Sequence, residues 1–535
     1  MSLYWCNTCK IPIYKDKCPV CSQKADYLAQ DVRPVFPEEV LLLEVLLHKR
    51  GELRGKAIWN AKGNRYLVDG KEMEFSLQHV LAEANIEQVR NLLEEEKRQS
   101  LDLLYEDFKN SIDLFVRANV EHFRELEYNS LEFIKKITNK YSERIPVVSF
   151  SGGKDSTVVS SLVRRAFGMP VVLHVFGDTT LEVPTTYEYV KRFRKINRRI
   201  PFFVPKSNHN FLHLCDQIGP PSRVMRWCCT VFKTGPIGDV IDRFAENKKI
   251  LTFYGVRRSE STRRSKYEEV MDSPKIAKQI VASPIIDWMD IDIWLYLFTL
   301  GEDFNDAYRA GFSRVGCWCC PSNSDWSFLL AQILIPKEAE AWRNFLVSFA
   351  KRIGKPDPEE YIDSGNWKAR QGGNGLEADY SIVKFEPCAT EELARNYQLT
   401  RPISEEFYEY FKPFGVISYP TNQKLFGEVT ILDRRNQQPL FTLLGNVGQT
   451  HLKVRAYQNE YFRLLITRVE CQLKKYQACF GCGGCPAICP QKAINLIGSE
   501  YHIDEERCVG CLKCIAHYDQ GCLAAKVTKT RRTPA

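Results

Sequence analysis

The chain has 535 residues, of which 44% are hydrophobic and 26% charged, values of a folded globular protein and not of a disordered or fibrous one. A net charge of +8 with a pI near 8.5 suits an acidic small ligand or a nucleic acid. No apolar run reaches bilayer length, so no membrane role is expected, and the start Met-Ser-Leu-Tyr-Trp-Cys lacks the regions of a secretory signal, so a cytoplasmic protein is expected.

The length predicts several domains, and the 20 cysteines fall mostly into tight Cys-x2-Cys and Cys-Cys groups. In a reducing compartment that pattern predicts metal and cluster ligation, not disulfides. Residues 1–30 contain the first group, Cys6, Cys9, Cys18 and Cys21. Two knuckles presenting four thiolates suit a tetrahedral Zn2+ in a zinc ribbon, with a rubredoxin-like iron as the chemical alternative. Such a ribbon serves as a structural staple or as a nucleic-acid contact. Residues 31–140 read as mostly helical, with a helix over 36–49, a small β element within 51–70 and helical spacing from Ile86 to Lys140. Their role is not legible.

From about residue 141 to 330 the pattern alternates strand, loop and helix. Strands are predicted over Pro146–Phe150, Val171–Phe176, Phe202–Val204 and Ile250–Tyr254, with a helix from about Pro184. Such alternation predicts an α/β fold with a parallel sheet covered by helices, whose ligands sit beyond the carboxyl ends of the strands. Three segments follow such ends. The first is Ser151-Gly152-Gly153-Lys154-Asp155-Ser156, where paired glycines admit a close ligand and a helix start offers N–H groups to an anion. It is not the Walker loop, which needs Gly-x4-Gly-Lys-Ser/Thr. The second contains Asp178 and Thr179. The third, residues 255–264, carries Arg257, Arg258, Glu260, Ser261, Arg263 and Arg264, and its guanidinium forks suit phosphate or sulfate oxygens. Cys228-Cys229 and the later Cys317-x2-Cys320 are a set that could hold a [4Fe–4S] cluster.

These motifs, with Pro184-x-Thr186-Tyr187 and Pro284-Ile285-Ile286-Asp287-Trp288, make residues 141–325 resemble the phosphoadenosine phosphosulfate (PAPS) reductase family of PP-loop proteins. The resemblance implies an adenosine nucleotide, APS, PAPS or ATP, held by Ser151, Gly152, Gly153, Lys154, Asp155, Ser156, Asp178, Thr179, Arg257, Arg258, Glu260 and Ser261. Lys154, Arg257 and Arg258 are the catalytic expectation, stabilising sulfate and leaving-group charge. Cys228, Cys229, Cys317 and Cys320 are similar to the set that holds a [4Fe–4S] cluster in the adenylyl-sulfate reductase branch. The family's reductases attack sulfur with a cysteine on a C-terminal tail; here the sequence closes Lys-Thr-Arg-Arg-Thr-Pro-Ala, with no cysteine after Cys522, and Cys215, Cys319, Cys388 and Cys471 are left outside the cluster sets.

Residues 331–470 read as helical, then loop-rich around Gly365–Trp367 and Gln371–Gly375, then as a small β region with strands Glu428–Leu432 and Leu440–Leu444. In residues 471–535, Cys479, Cys482, Cys485 and Cys489-Pro490 match the bacterial ferredoxin run, and Cys508, Cys511 and Cys514 begin a second run closed by Cys522. Because the fourth cysteine of such a run serves the other cluster, the expected ligand sets are Cys479, Cys482, Cys485, Cys522 and Cys508, Cys511, Cys514, Cys489. The parts together predict a sulfonucleotide reductase with its electron-transfer domain fused in, fed by a low-potential donor. The alternative is an ATP-dependent PP-loop sulfurtransferase acting on tRNA or DNA, and a third reading is a non-catalytic scaffold.

Overall fold

The computed structural model describes residues 2–168, 172–223, 225–245, 249–262, 264–273, 276–277, 279–369, 381–419, 427–497, 500–516, 522, 525 and 528–532. Val171, Arg263 and the predicted turn 371–375 lie outside the described residues. The chain forms two compact units, Met1–Pro205 with Ala245–Asp272 and Gln279–Arg343, and Lys206–Phe244 with Ser273–Lys278 and Asn344–Ala535.

The first unit opens on a three-stranded antiparallel sheet in the order Ile11–Ile13, Leu3–Cys6, Asp26–Ala29. A four-stranded sheet follows, Val32–Pro34, Ile58–Ala61, Arg65–Val68 and Lys71–Glu72. The helix Pro37–Leu46 buries nearly every residue, Glu39 and Glu44 included. Glu39 tolerates burial because Arg33 donates to both of its oxygens at 2.6 Å and Tyr66 donates at 2.9 Å. The segment between Gly51 and Gly70 contains two antiparallel strands, because its apolar residues alternate between tight turns. Two long helices, Ile86–Ala118 and Val120–Lys140, complete this part.

The centre of the first unit is a six-stranded sheet in the order Phe202–Phe203, Leu173–Val175, Ile145–Ser149, Ile250–Phe253, Gln279–Ala282, Val270–Asp272. The first five strands are parallel and the last is antiparallel. From Ile145–Ser149 the chain winds outward to one side, then returns to place Ile250–Phe253 on the other. That reversal puts a crevice beyond the carboxyl ends of these two neighbouring strands. The helix Lys154–Phe167 packs Val158, Val159, Leu162 and Val163 into the core, and its last turn carries Arg164 and Arg165 before the left-handed Gly168. Thus the α/β class and parallel core are observed. The helix that follows the glycine loop begins at Lys154 and so takes in the motif's last three residues, Lys154, Asp155 and Ser156.

The second unit is built on a seven-stranded sheet in the order Val416–Ser418, Glu428–Leu432, Pro439–Leu444, His451–Ala456, Ala394–Leu399, Ser381–Pro387, Lys529–Arg532. Residues 381–399, read from sequence as loop-rich, are in fact two paired strands. Their outer face carries Lys384, Glu386, Asn396 and Gln398, polar choices that hide an alternating strand from a hydropathy pattern. Behind the sheet the helix Phe462–Ala478 buries Ile466, Val469, Leu473 and Tyr476 against Phe407, Phe411 and Val454.

Candidate active site and cysteine centres

The glycine loop occupies the crevice end of Ile145–Ser149. Gly152 has φ +72°, and a Cβ there would stand 2.9 Å from Thr186 Cγ2, so both conformation and space require glycine. Asn305 fixes the loop from beneath by donating to the Gly152 carbonyl (3.1 Å) and to Thr186 Oγ1 (2.9 Å). Ser151 N–H donates to Ser156 Oγ (3.1 Å), which in turn donates to the Gly153 carbonyl (2.8 Å). The helix starting at Lys154 has no side-chain cap; its Lys154 N–H donates to the Tyr308 hydroxyl at 3.0 Å. Its remaining first-turn N–H groups face the anion-binding end of the dipole.

Lys154 is buried, yet it is fully engaged. Nζ donates to the Ser313 carbonyl (3.0 Å), pairs with Asp290 Oδ1 (3.2 Å) and Asp155 Oδ2 (3.6 Å), and lies 4.9 Å from the Tyr308 ring centre. Arg257, also buried, donates through Nε to Asp155 Oδ1 (2.5 Å) and through Nη2 to Asp290 Oδ1 (2.8 Å). Two cations thus meet two carboxylates. Burial pushes the Asp155 carboxyl up, but Arg257 and Lys154 outweigh it and hold it at about 2. Burial would also depress the Lys154 ammonium, and Asp290 and Asp155 reverse that, leaving it above the ordinary lysine value. A third carboxylate, Asp31, accepts the N–H groups of Asp290 (2.9 Å) and Ile291 (3.1 Å). Burial and the neighbouring Asp290 raise it to about 6.

The other predicted residues are placed as follows. Gly255 presses on the loop, since a Cβ there would lie 2.8 Å from the Asp155 carbonyl carbon. Arg258 pairs with the exposed Asp287 and donates to the Tyr267 carbonyl (3.0 Å), so its charge stands nearer solvent than that of Arg257. Glu260 and Ser261 serve their own turn: Glu260 accepts the Arg257 N–H (3.2 Å) and pairs with Arg264, and Ser261 Oγ accepts the Arg264 N–H (3.3 Å). Asp178 accepts the Tyr187 hydroxyl (3.0 Å) and the Thr180 N–H (2.8 Å). Thr179 Oγ1 donates to Glu182 (2.9 Å) and lies 3.3 Å from Cys317 Sγ, while Trp318 N–H donates to the Leu181 carbonyl (2.9 Å). The Cys317–Cys320 segment is therefore tied to the Asp178-Thr179 loop. Asp31, Asp290, Asn305, Tyr308 and Ser313 were missed from sequence. Only Asp290 carried a signal, as an acid at a helix start just after the Pro284–Trp288 motif.

Residues 145–323 match the phosphoadenosine phosphosulfate reductase domain. An adenosine 5'-phosphosulfate reductase of Staphylococcus epidermidis is 25% identical over 226 residues, 41% of this chain and 86% of that protein. An uncharacterized protein of Methanocaldococcus jannaschii is 30% identical over 289 residues, 54% of this chain and 58% of its own length. The chain thus spans less than two thirds of that relative. A PAPS reductase crystal structure from Candida auris aligns with 37% of this chain and 95% of its own at 14% identity and a TM-score of 0.29, too low to carry weight.

The cysteines gather into centres. Cys6, Cys9, Cys18 and Cys21 bring their four Sγ atoms within 4.8 Å of one another, with Cys6 and Cys21 3.4 Å apart and Cys9 and Cys18 3.9 Å apart. Zn–S bonds of about 2.3 Å set tetrahedral S···S edges of about 3.8 Å, so the donor set fits zinc. In the second unit, Cys479, Cys482, Cys485 and Cys522 line one small cavity together with Lys475 and Tyr501. Cys489, Cys508, Cys511 and Cys514 line another. Each cavity presents four sulfurs from the two runs, the donor set a [4Fe–4S] cluster takes. Cys228 and Cys229 occupy a helical turn, Trp227–Cys229, that runs into the π-helix Thr230–Thr234. They belong to the second unit, whereas Cys317 and Cys320 belong to the first. Among the described residues, no helix is long and apolar enough to cross a membrane.

Proposed function

We propose that the chain is a sulfonucleotide reductase-like enzyme that binds an adenosine nucleotide at Ser151–Ser156 and reduces its sulfate. The carrying observation is the match of residues 145–323 to the PAPS reductase domain, with the glycine loop seated at the switch point of a parallel sheet. The loop N–H groups and Ser151 would receive the phosphate and sulfate oxygens. Lys154 and Arg257, neutralised by Asp155 and Asp290, would hold the loop rigid and set its field. Arg258, whose pair with Asp287 is open to water, would exchange that partner for a nucleotide oxyanion. An electron pair reduces the sulfur, its bond to the nucleotide phosphate oxygen breaks, and sulfite and the adenosine nucleotide leave.

In this reading the tail holds two [4Fe–4S] clusters through Cys479, Cys482, Cys485, Cys522 and Cys489, Cys508, Cys511, Cys514. When bound they supply one-electron carriers, reduced by a low-potential donor. A third cluster on Cys228, Cys229, Cys317 and Cys320 rests on the sequence pattern, and Zn2+ belongs to Cys6, Cys9, Cys18 and Cys21. The protein is placed in the reducing cytoplasm, where these thiolates survive. The test is anaerobic incubation of the reduced chain with APS and with PAPS. Sulfite release from one of them is expected, and release from neither overturns the reading.

A second reading is an ATP-dependent sulfurtransferase that adenylates a substrate and then inserts sulfur into tRNA or DNA. The four-sulfur ribbon and the +8 charge favour it. It predicts pyrophosphate release from ATP that depends on added tRNA or DNA.

A further inference from the structure

Resting on the cluster assignment above, one side chain of the tail calls for its own account. Lys475 is 1% exposed, on the helix Phe462–Ala478. Its Nζ donates to the Tyr501 hydroxyl at 2.9 Å and lies 4.1 Å from that ring's centre. Among the described residues no carboxylate pairs with it. Its surroundings are sulfurs: it lines a cavity with Cys479, Cys482, Cys485 and Cys522, and Cys514 of the other set also acts on it. A buried ammonium without a counter-ion is costly, so it is kept charged only beside a buried anion. Four neutral thiols do not provide one; an iron–sulfur cluster with its four thiolates does. The cavity that Lys475 lines belongs to Cys479, Cys482, Cys485 and Cys522, and not to the other four.

The two cavities also differ in their surroundings. The second has an exposed cysteine, Cys511, beside the exposed Val509. The segment that follows Cys228-Cys229 packs closely against Cys482 and Ala487, beside the first. A Cβ on Gly235 would lie 2.3 Å from the Cys482 carbonyl oxygen, and one on Gly238 would lie 3.1 Å from Ala487 Cβ. Ala277 N–H donates to the Ala487 carbonyl (2.9 Å), and Lys492 pairs with Asp242 (2.6 Å).

We propose that Lys475 is the charge partner of the cluster held by Cys479, Cys482, Cys485 and Cys522, and that it makes this the higher-potential of the two tail clusters. A bound cluster would carry one electron, and the buried Lys475 ammonium would stabilise the added negative charge. The tail thereby gains a polarity. The exposed end around Cys511 and Val509 is the low-potential end, and the end packed on Gly235, Gly238 and Asp242 is where the electron rests.

The test is a redox titration of the anaerobic full-length chain with dithionite, followed by EPR. The two tail-cluster midpoints are identified as the signals altered by Cys482→Ser and by Cys511→Ser, and of these two the one altered by Cys482→Ser should appear first on reduction. Lys475→Met, which keeps length and apolar volume but removes the charge, should move that first midpoint to lower potential and leave the second nearly in place. Coincident wild-type midpoints, a first signal that Cys511→Ser alters, or unmoved midpoints in Lys475→Met would each overturn the proposal. If Lys475→Met fails to assemble its clusters, the wild-type order of reduction decides alone. A chain that carries no iron at all would instead remove the cluster assignment on which this rests.

Discussion

Two buried lysines set the two units apart. Lys154, at the glycine loop, is matched by Asp155, Asp290 and a backbone carbonyl, so its charge is balanced by the protein itself. Lys475, in the tail, has a tyrosine hydroxyl and a wall of sulfurs. The first arrangement is complete before any ligand arrives, and a nucleotide would enter a preorganised site. The second is complete only with a bound anion. On the proposed reading, one unit has a site that waits for substrate and the other a site whose folding would be tied to its cofactor.

The sharpest way to break this contrast is to strip iron. Chelation under reducing conditions should unfold the tail locally, because Cys485, Cys514 and Cys522 belong to the same core as Ile466 and Tyr501, and Lys475 would be left without a counter-charge. An uncompensated buried charge costs about 3–5 kcal/mol. Hydrogen exchange should rise across 462–516 and stay unchanged across 145–167; equal change in both would erase the contrast. Next in size, Lys154→Ala leaves Asp155 and Asp290 facing Arg257 alone and should cost about 3–5 kcal/mol in stability. It should also abolish the rise in melting temperature on adding APS, PAPS or ATP, a rise expected of the wild type. A retained nucleotide shift would show that the loop binds without its lysine.

Smaller effects sharpen the picture. Gly235→Val drives a side chain into the Cys482 carbonyl and should cost about 1–3 kcal/mol, read by denaturant unfolding, with changed EPR of the neighbouring cluster. The smallest effect is a pH slope. Asp31 rises from 3.8 to about 6 in the folded state, so the native chain binds that proton more tightly than the unfolded one. The contribution is fully present below the unfolded value and is lost as pH rises through about 6. Asp31→Asn should flatten the stability profile between those pH values; an unchanged slope would show that Asp31 titrates normally.

Much of this was legible in advance, and unevenly. The parallel core and the glycine loop announced themselves because β-branched runs, paired glycines and the helix start are local signals. The cysteine groupings did the same. The partners that decide the electrostatics did not: Asp290 reaches Lys154 and Arg257 from another part of the chain, Asp31 accepts the Asp290 N–H, and Tyr308 meets the loop only in three dimensions. Lys475 drew no reading, because nothing local to its sequence marks it as buried. The strands at 381–399 were hidden by a solvated outer face, which leaves alternation too weak to see.

Both units are proposed to work on one substrate. The direct measurement is a single turnover: reduce the anaerobic chain, remove the reductant, add APS or PAPS, and follow cluster EPR alongside sulfite. Loss of the reduced signals in step with sulfite, one electron pair for each sulfite formed, is the predicted result. Clusters that stay reduced in the presence of both nucleotides would contradict it.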